Sequence, residues 1–212
     1  METHDQGSQE WFESRLGLFT ASNMGRLLAG GAGKTRAAYL RAIRFERETG
    51  QRSSDYSNAA MERGIELEPE ARMSYELVTG CTVIEAGFIP HPEIAMTGAS
   101  PDGLVGDDGL VEIKCPGWDQ HMRTRDGEAI KRDYLLQMQW QMECTRRLWC
   151  DFVSYHPAWS APHDMVVRRV MRDQETIELL RAAVIDADAE VVAAMETAAQ
   201  QAAFDTLEEG EG

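Results

Sequence analysis

Cysteine is scarce in this chain of 212 residues: Cys81, Cys115, Cys144 and Cys150 form no C-x-x-C pair and stand beside no histidine pair of ligand spacing. That argues against a zinc site and against a disulfide framework, so reduced thiols are expected. Proline is sparse as well, and no apolar run is long enough to span a bilayer. The opening stretch METHDQGSQEW has neither a basic n-region nor an apolar h-region. No secretory or membrane signal is therefore expected, and the reading is a cytoplasmic protein without a membrane partner. Basic residues are outnumbered, 21 against 36 acids, for a net charge of −15. Spread evenly, that charge would repel nucleic acid and anionic lipid.

The charge is not even. Between Arg15 and Arg52 eight basic residues face only Glu46 and Glu48, a local net of +6, whereas Asp173 to Gly212 carries eleven acids against Arg181, a net of −10. A polyanion can be held by the basic third while the acidic tail faces solvent. A hydrophobic share of 43% is enough for a buried core and excludes long disorder, and the chain reads as a single domain over 1–212.

The spacing predicts helices through about 8–52, with Thr20 or Ser22 capping a helix that ends at Gly30-Gly31-Ala32-Gly33, and a second helix over 36–47. A longer helix is expected over 59–77, broken or restarted at Pro69. The period then changes to short β-type runs at 82–84, 87–89, 95–97 and 110–114, expected as a meander. A helix near 128–148, strands at 152–155 and 165–170, and an Ala-rich helix over 174–204 complete the order. The fold class is α/β (α+β), with a helical region over about 8–80, a sheet and helix over about 81–171 and an acidic helix over about 173–204.

The informative stretch is Ser100-Pro101-Asp102-Gly103-Leu104 followed by Val111-Glu112-Ile113-Lys114. On a strand Glu112 and Lys114 share one face while Val111 and Ile113 share the other. Asp102 returns beside Glu112 across the Asp107-Asp108-Gly109 turn. Two carboxylates beside one lysine make a hard-cation site suited to Mg²⁺ or Mn²⁺. The bland alternative is a surface hairpin with a cross-strand ion pair, against which the apolar flank argues. A third acid comes from Glu66, Glu68 or Glu70. Gln137, Gln139 and Gln141 cannot share one helical face, so one of them is expected inward and the others outward.

Gly33-Lys34-Thr35 has the ending of a phosphate-binding loop, but Leu28 stands where its first glycine would be. The five histidines, His4, His91, His121, His156 and His163, have no ligand spacing and are assigned to surface or turn positions.

These residues resemble the PD-(D/E)xK nucleases and, within them, the lambda exonuclease and YqaJ-like viral recombinase family. The resemblance rests on Ser100 to Leu104 with Glu112 to Pro116. It is joined by Gln6-Gly7, Trp11, Arg15-Leu16-Gly17 and Thr20-Ala21-Ser22, by Arg63-Gly64 with Glu68, Ala71 and Arg72, by Glu128 to Lys131, by Tyr134 and Gln137 to Trp140, and by Tyr155-His156-Pro157. It implies a restriction-endonuclease-like core and a processive 5′ to 3′ exonuclease on double-stranded DNA, leaving 3′ single-stranded overhangs for phage-type annealing recombination. It further implies a ring-shaped homotrimer, a single-strand annealing partner and two Mg²⁺ ions per site, with Mn²⁺ as substitute. By the same resemblance Asp102, Glu112, the Ile113 carbonyl and Glu68 hold metal, Lys114 orients or deprotonates the water, and Gln137 positions the lysine or the water. Arg15 and Ser22 take the 5′-terminal phosphate, and Met61 is the wedge that splits the terminal pair. The helices around Trp140 and Trp149, with the nearby Trp159, are expected to supply the faces between subunits. A non-catalytic DNA-end or recombinase-binding module and a restriction or repair endonuclease on the same core are the alternatives.

Overall fold

The computed structural model describes residues 7–30, 33–53 and 59–210, the side chains of 59–61 and 207–210 excepted. Helix α1 (Gln9–Glu13) starts where the Ser8 hydroxyl accepts the Trp11 N–H, filling one of the donors a helix start leaves open. After it come the two-residue strand β1 (Phe19–Thr20), a 3-10 turn over Ala21–Asn23, and α2 (Met24–Leu27). Neither Thr20 nor Ser22 caps α2, and α2 stops at Leu27 rather than at the glycine run. Gly33 instead precedes α3 (Lys34–Thr49), at φ 68°. The phosphate-loop resemblance has no strand in front of it and stays set aside.

Helix α4 (Ala59–Thr79) runs unbroken through Pro69, contrary to the expected break. Proline removes one N–H, and the carbonyl left without that donor belongs to Ile65, a residue on the exposed side of the helix. Strands β2 (Val83–Ile84), β3 (Ile89–Pro90), β4 (Thr97–Ala99), β5 (Gly103–Val105) and β6 (Gly109–Lys114) follow. They do not form one meander. β4 lies between β1 and β3 in a three-stranded sheet, parallel to β1 and antiparallel to β3, while β2, β5 and β6 belong to a second sheet. Helices α5 (Trp118–Arg125) and α6 (Arg132–Thr145), strands β7 (Trp149–Tyr155) and β8 (Met165–Met171), and the long α7 (Gln174–Gly210) complete the chain.

The larger sheet has the order β2-β5-β6-β7-β8, with β6 and β7 parallel and the other neighbours antiparallel. Its central strand β6 is buried along its length except at Lys114. Val111 and Ile113 pack with Ala71 and Tyr75 of α4, whereas Leu110 packs with Met138 and Met142 of α6. The sheet is thus held between two helices, and α6 also carries Trp140 into a third cluster with Phe19, Met24 and Leu27. Trp140 is fully buried inside the chain and cannot be part of a face between subunits.

The acidic tail does not simply face solvent. Arg36 forks onto Glu190, and Arg47 pairs with Asp188, both at 2.7 Å, so part of the basic third is bound to α7. The apolar side of α7, Leu180, Val184, Ala187 and Val191, recurs at helical spacing and packs into the core. Three histidines are buried rather than superficial. Each finds partners: His91 Nδ1 accepts the Glu93 and Ile94 N–H groups, His156 Nδ1 accepts that of Ala158, and His121 bridges Ser154 and the His163 carbonyl. Among the described residues no helix is long and apolar enough to cross a membrane.

Candidate active site

The β5–β6 hairpin sets Gly103 opposite Val111, which carries the preceding Asp102 back to the middle of β6. Glycine is needed there, because a Cβ on Gly103 would run into Val83 Cγ1 on the neighbouring strand. Asp102 Oδ2 accepts the Ile113 N–H at 2.7 Å. Glu112, fully buried, accepts at both oxygens: Oε1 from Lys114 Nζ and from Gln137 Nε2 at 2.8 Å, and Oε2 from Gln141 Nε2 at 2.6 Å. Gln137 and Gln141 are one helical turn apart on α6, so two of the three glutamines point at the strand, not one. Gln139, on the far side of the helix, donates to the Met171 carbonyl and accepts the Asp173 N–H.

The electrostatics is that of negative charge crowded out of water. Burial pushes the Asp102 carboxyl well above its ordinary range and the charge of Glu112 adds to this, while Lys114 and the Ile113 N–H act against it. Glu68 is raised by burial too, with Glu112 adding, although Arg72 holds it at 2.8 Å. Lys114 is pulled both ways: burial lowers its pKa, but the charges of Glu112 and Asp102 outweigh burial and raise it, so it stands as an ammonium. Three carboxylates share one lysine.

Glu68, Asp102, Ile113 and Lys114 line one cavity of about 880 Å³. Of the neighbouring acids, Glu66 is exposed and Glu70 accepts the Tyr155 hydroxyl at 2.6 Å. Among the described residues no three His, Cys, Asp or Glu side chains close into a complete cage for an ion. The donors gathered are nevertheless all oxygens, two from carboxylates on β6 and its hairpin partner, which is the chemistry of a hard divalent cation that keeps part of its water.

A second cavity, of about 530 Å³, opens on the other side and is lined by Asp102, Glu112, Lys114 and Gln137 together with Arg15 and Ser22. The predicted phosphate residues and the predicted catalytic residues Asp102, Glu112, Lys114 and Gln137 therefore line one cavity. The Arg15 guanidinium lies 3.8 Å from the Trp11 ring centre, and Arg52 lies 3.9 Å from that of Phe12. Burial brings the Arg15 pKa down to about 10; the charge of Tyr39 acts against it, and the nearby Arg52 adds a smaller push downward. Among the described residues no carboxylate pairs with Arg15, so the alternative of a structural bridge to Glu10 or Glu13 is not realised. The Trp11 indole N–H donates to Ser100 Oγ at 3.1 Å, tying the arm that carries Arg15 to the turn before Asp102. Met61 stands on α4, but its side chain lies outside the described residues.

Reasoning from sequence missed the role of Gln141, which the i, i+4 spacing from Gln137 signals, and the half-buried Tyr134 ring beneath Lys114 at 5.2 Å.

Residues 10–147 match the family described as YqaJ-like viral recombinase domain. Among solved structures the chain is similar to an alkaline exonuclease, LHK-Exo, from Laribacter hongkongensis, at 43% identity and a TM-score of 0.87 over 92% of this chain and 98% of that one. The same enzyme in complex with dAMP matches at 44% identity with the same TM-score and coverage. A phage-related exonuclease from Haemophilus somnus shares the fold, at 15% identity and a TM-score of 0.66 over 85% of this chain and 96% of that one. No curated protein matches. The mixed sheet flanked by helices is the PD-(D/E)xK architecture of these exonucleases.

Proposed function

Because the chain belongs to the family of YqaJ-like viral recombinase domains, we propose that it is an exonuclease on DNA, degrading double-stranded DNA processively from 5′ to 3′. The observation that carries this reading is the meeting of Asp102, Glu112 and Lys114 with Arg15 and Ser22 in one cavity, with Glu68 reaching the same centre from the opposite side. An end-directed phosphodiesterase needs both halves. Asp102, Glu112, Glu68 and the Ile113 carbonyl are the groups that would hold Mg²⁺, or Mn²⁺ in its place. Their oxygen donors and unbalanced negative charge fit such ions. Divalent ions held there would supply charge neutralisation for phosphodiester hydrolysis and make a bound water more acidic.

The chain's own groups do the rest. Gln137 and Gln141 hold the Glu112 carboxylate in one orientation. The Lys114 ammonium, resting on Tyr134, donates to the attacking water and to the phosphoryl oxygens. Arg15, stacked on Trp11, and Ser22 take the terminal 5′-phosphate, so a strand end rather than a strand interior is seated. Partners on this reading are duplex DNA ends, a single-strand annealing protein, and two further copies of the chain in a ring that keeps the enzyme on its substrate.

Linear and closed-circular duplexes incubated with Mg²⁺ test the reading. Mononucleotides released from the linear DNA alone, from the 5′ end and only with the metal present, are expected. Cutting of the circle would make the protein an endonuclease, and binding of ends without cutting would make it a non-catalytic module. Light scattering that finds only the 23.7 kDa chain at micromolar concentration would remove the ring.

A further inference from the structure

The two cavities meet at a common wall. Asp102 and Lys114 line both of them. A strand whose reacting phosphate lies at that wall must continue on both sides of it, and the cavity of about 530 Å³ accommodates the terminal nucleotide beside Arg15. The cavity of about 880 Å³ then faces the strand that stays behind.

Its lining has the chemistry for this. Lys114 and Lys131 place their ammonium groups 5.2 and 5.8 Å from the same Tyr134 ring, so a second positive charge follows the catalytic one along the cavity. Tyr134 is stacked on Phe152, 5.9 Å between centres at 25°, which fixes its plane. Arg63 reaches the cavity from α4. Among the described residues neither Arg63 nor Lys131 is paired with a carboxylate, whereas Arg72, further along the same helix, is held by Glu68 and Glu85. Unpaired cations beside an aromatic platform are how a single strand is held without reading its bases.

Resting on the exonuclease reading, we propose that the larger cavity seats the second nucleotide of the degraded strand, with Arg63 and Lys131 contacting the phosphate on its 3′ side. Water adds to the first internucleotide phosphorus, the bond from phosphorus to the terminal nucleotide's O3′ breaks, and that oxygen takes the proton. The phosphate remains on the second nucleotide. Each turnover thus leaves a fresh 5′-phosphate at the wall, one step from Arg15.

The test is single-turnover release of the first nucleotide from two duplexes, one fully charged and one with a neutral methylphosphonate at the second linkage of the degraded strand. Wild type is expected to be slowed about tenfold by the neutral linkage, as fits loss of a charge-assisted contact. The variant Arg63→Gln with Lys131→Gln is expected to be slow on both duplexes and to lose nothing further from the methylphosphonate. The wild-type comparison needs no variant to fold. Indifference of wild type to the neutral linkage overturns the proposal, and so do losses that simply multiply. If Arg15→Ala erases the sensitivity instead, the two cavities have been assigned the wrong way round. Wild type that releases no nucleotide from the fully charged duplex removes the exonuclease reading itself, and the proposal with it.

Discussion

Gln141 Nε2 lies 2.6 Å from Glu112 Oε2, with both side chains fully buried. No other donor reaches that oxygen among the described residues, since Lys114 and Gln137 both bond Oε1. Replacing Gln141 by Leu keeps the volume and strands a buried carboxylate oxygen. Destabilisation of about 1–3 kcal/mol is expected, seen as a fall in Tm of roughly 2–4 °C for each kcal/mol. Nuclease activity should fall with it. A Gln141→Leu protein as stable as the parent would show that the amide does not hold Glu112.

Asp102→Asn, Glu112→Gln and Lys114→Ala should each abolish nuclease activity while leaving the circular dichroism spectrum unchanged. They alter charge on one face of β6 and leave Val111 and Ile113 against α4. Glu68 and Glu66 form a matched pair for comparison. Glu68 is electrostatically joined to Glu112 and Lys114, whereas Glu66 is exposed. Glu68→Ala should lose metal-supported activity and Glu66→Ala should keep it. The reverse result would move the proposed metal site by half a turn of α4.

Arg15→Ala leaves the catalytic strand untouched. Its effect is expected as a lost preference for 5′-phosphate over 5′-hydroxyl ends, by about 1.5–3 kcal/mol for a hydrogen bond to a charged group. Digestion of one duplex carrying either end, by both proteins, measures it. An unchanged ratio would remove Arg15 from the proposed phosphate site and leave the proposed roles of Asp102, Glu112 and Lys114 standing.

Acid sensitivity should trace partly to Glu143. Burial pushes its carboxyl up, but hydrogen bonds from Arg172 and Arg181 outweigh burial and hold it below the ordinary value of 4.5. A folded pKa below the unfolded one gives stability that is present above pH 4.5 and fades as pH drops through the lowered value. Glu143→Gln lacks that contribution at every pH. Its Tm should therefore be lower than wild type's near neutrality, and the gap should narrow under acid. A gap independent of pH would show that the charge of Glu143 is not what the two arginines stabilise.

The alternation of Glu112 and Lys114 with Val111 and Ile113 was legible because a strand has a period of two and β6 is buried on both faces. Asp102 was legible because its partner lies only across a hairpin. Helix α5 was not. Its residues Trp118 to Arg125 are short and polar, and what anchors it is His121, satisfied by Ser154 and a carbonyl of His163 that are distant in the chain. The same blindness gave His121 a surface or turn position, since a buried histidine on a helix is recognised by its partners and not by its neighbours in sequence, whereas His91 and His156 do sit in turns, although buried ones. Strand β1 is two residues long and exists through its parallel pairing with β4, a tertiary event without a local signal. Pro69 misled for the opposite reason: a strong local signal was overridden by the packing of Ala71 and Tyr75, beyond it on the same helix, against the sheet.

The link from Trp11 to Ser100 spans 89 positions, whereas Asp102 meets Ile113 across 11 and Glu112 meets Gln137 across 25. Closing a longer loop costs more chain entropy, and contacts remote in sequence form late in folding. The carboxylates, the lysine and their glutamine brace therefore belong to a compact stretch able to organise on its own schedule, while the arm bearing Arg15 joins it afterwards. During refolding, amide protection on β6 should precede protection of the α1 arm, so that, on the exonuclease reading, the groups proposed to cut are in place before the group proposed to choose where they cut.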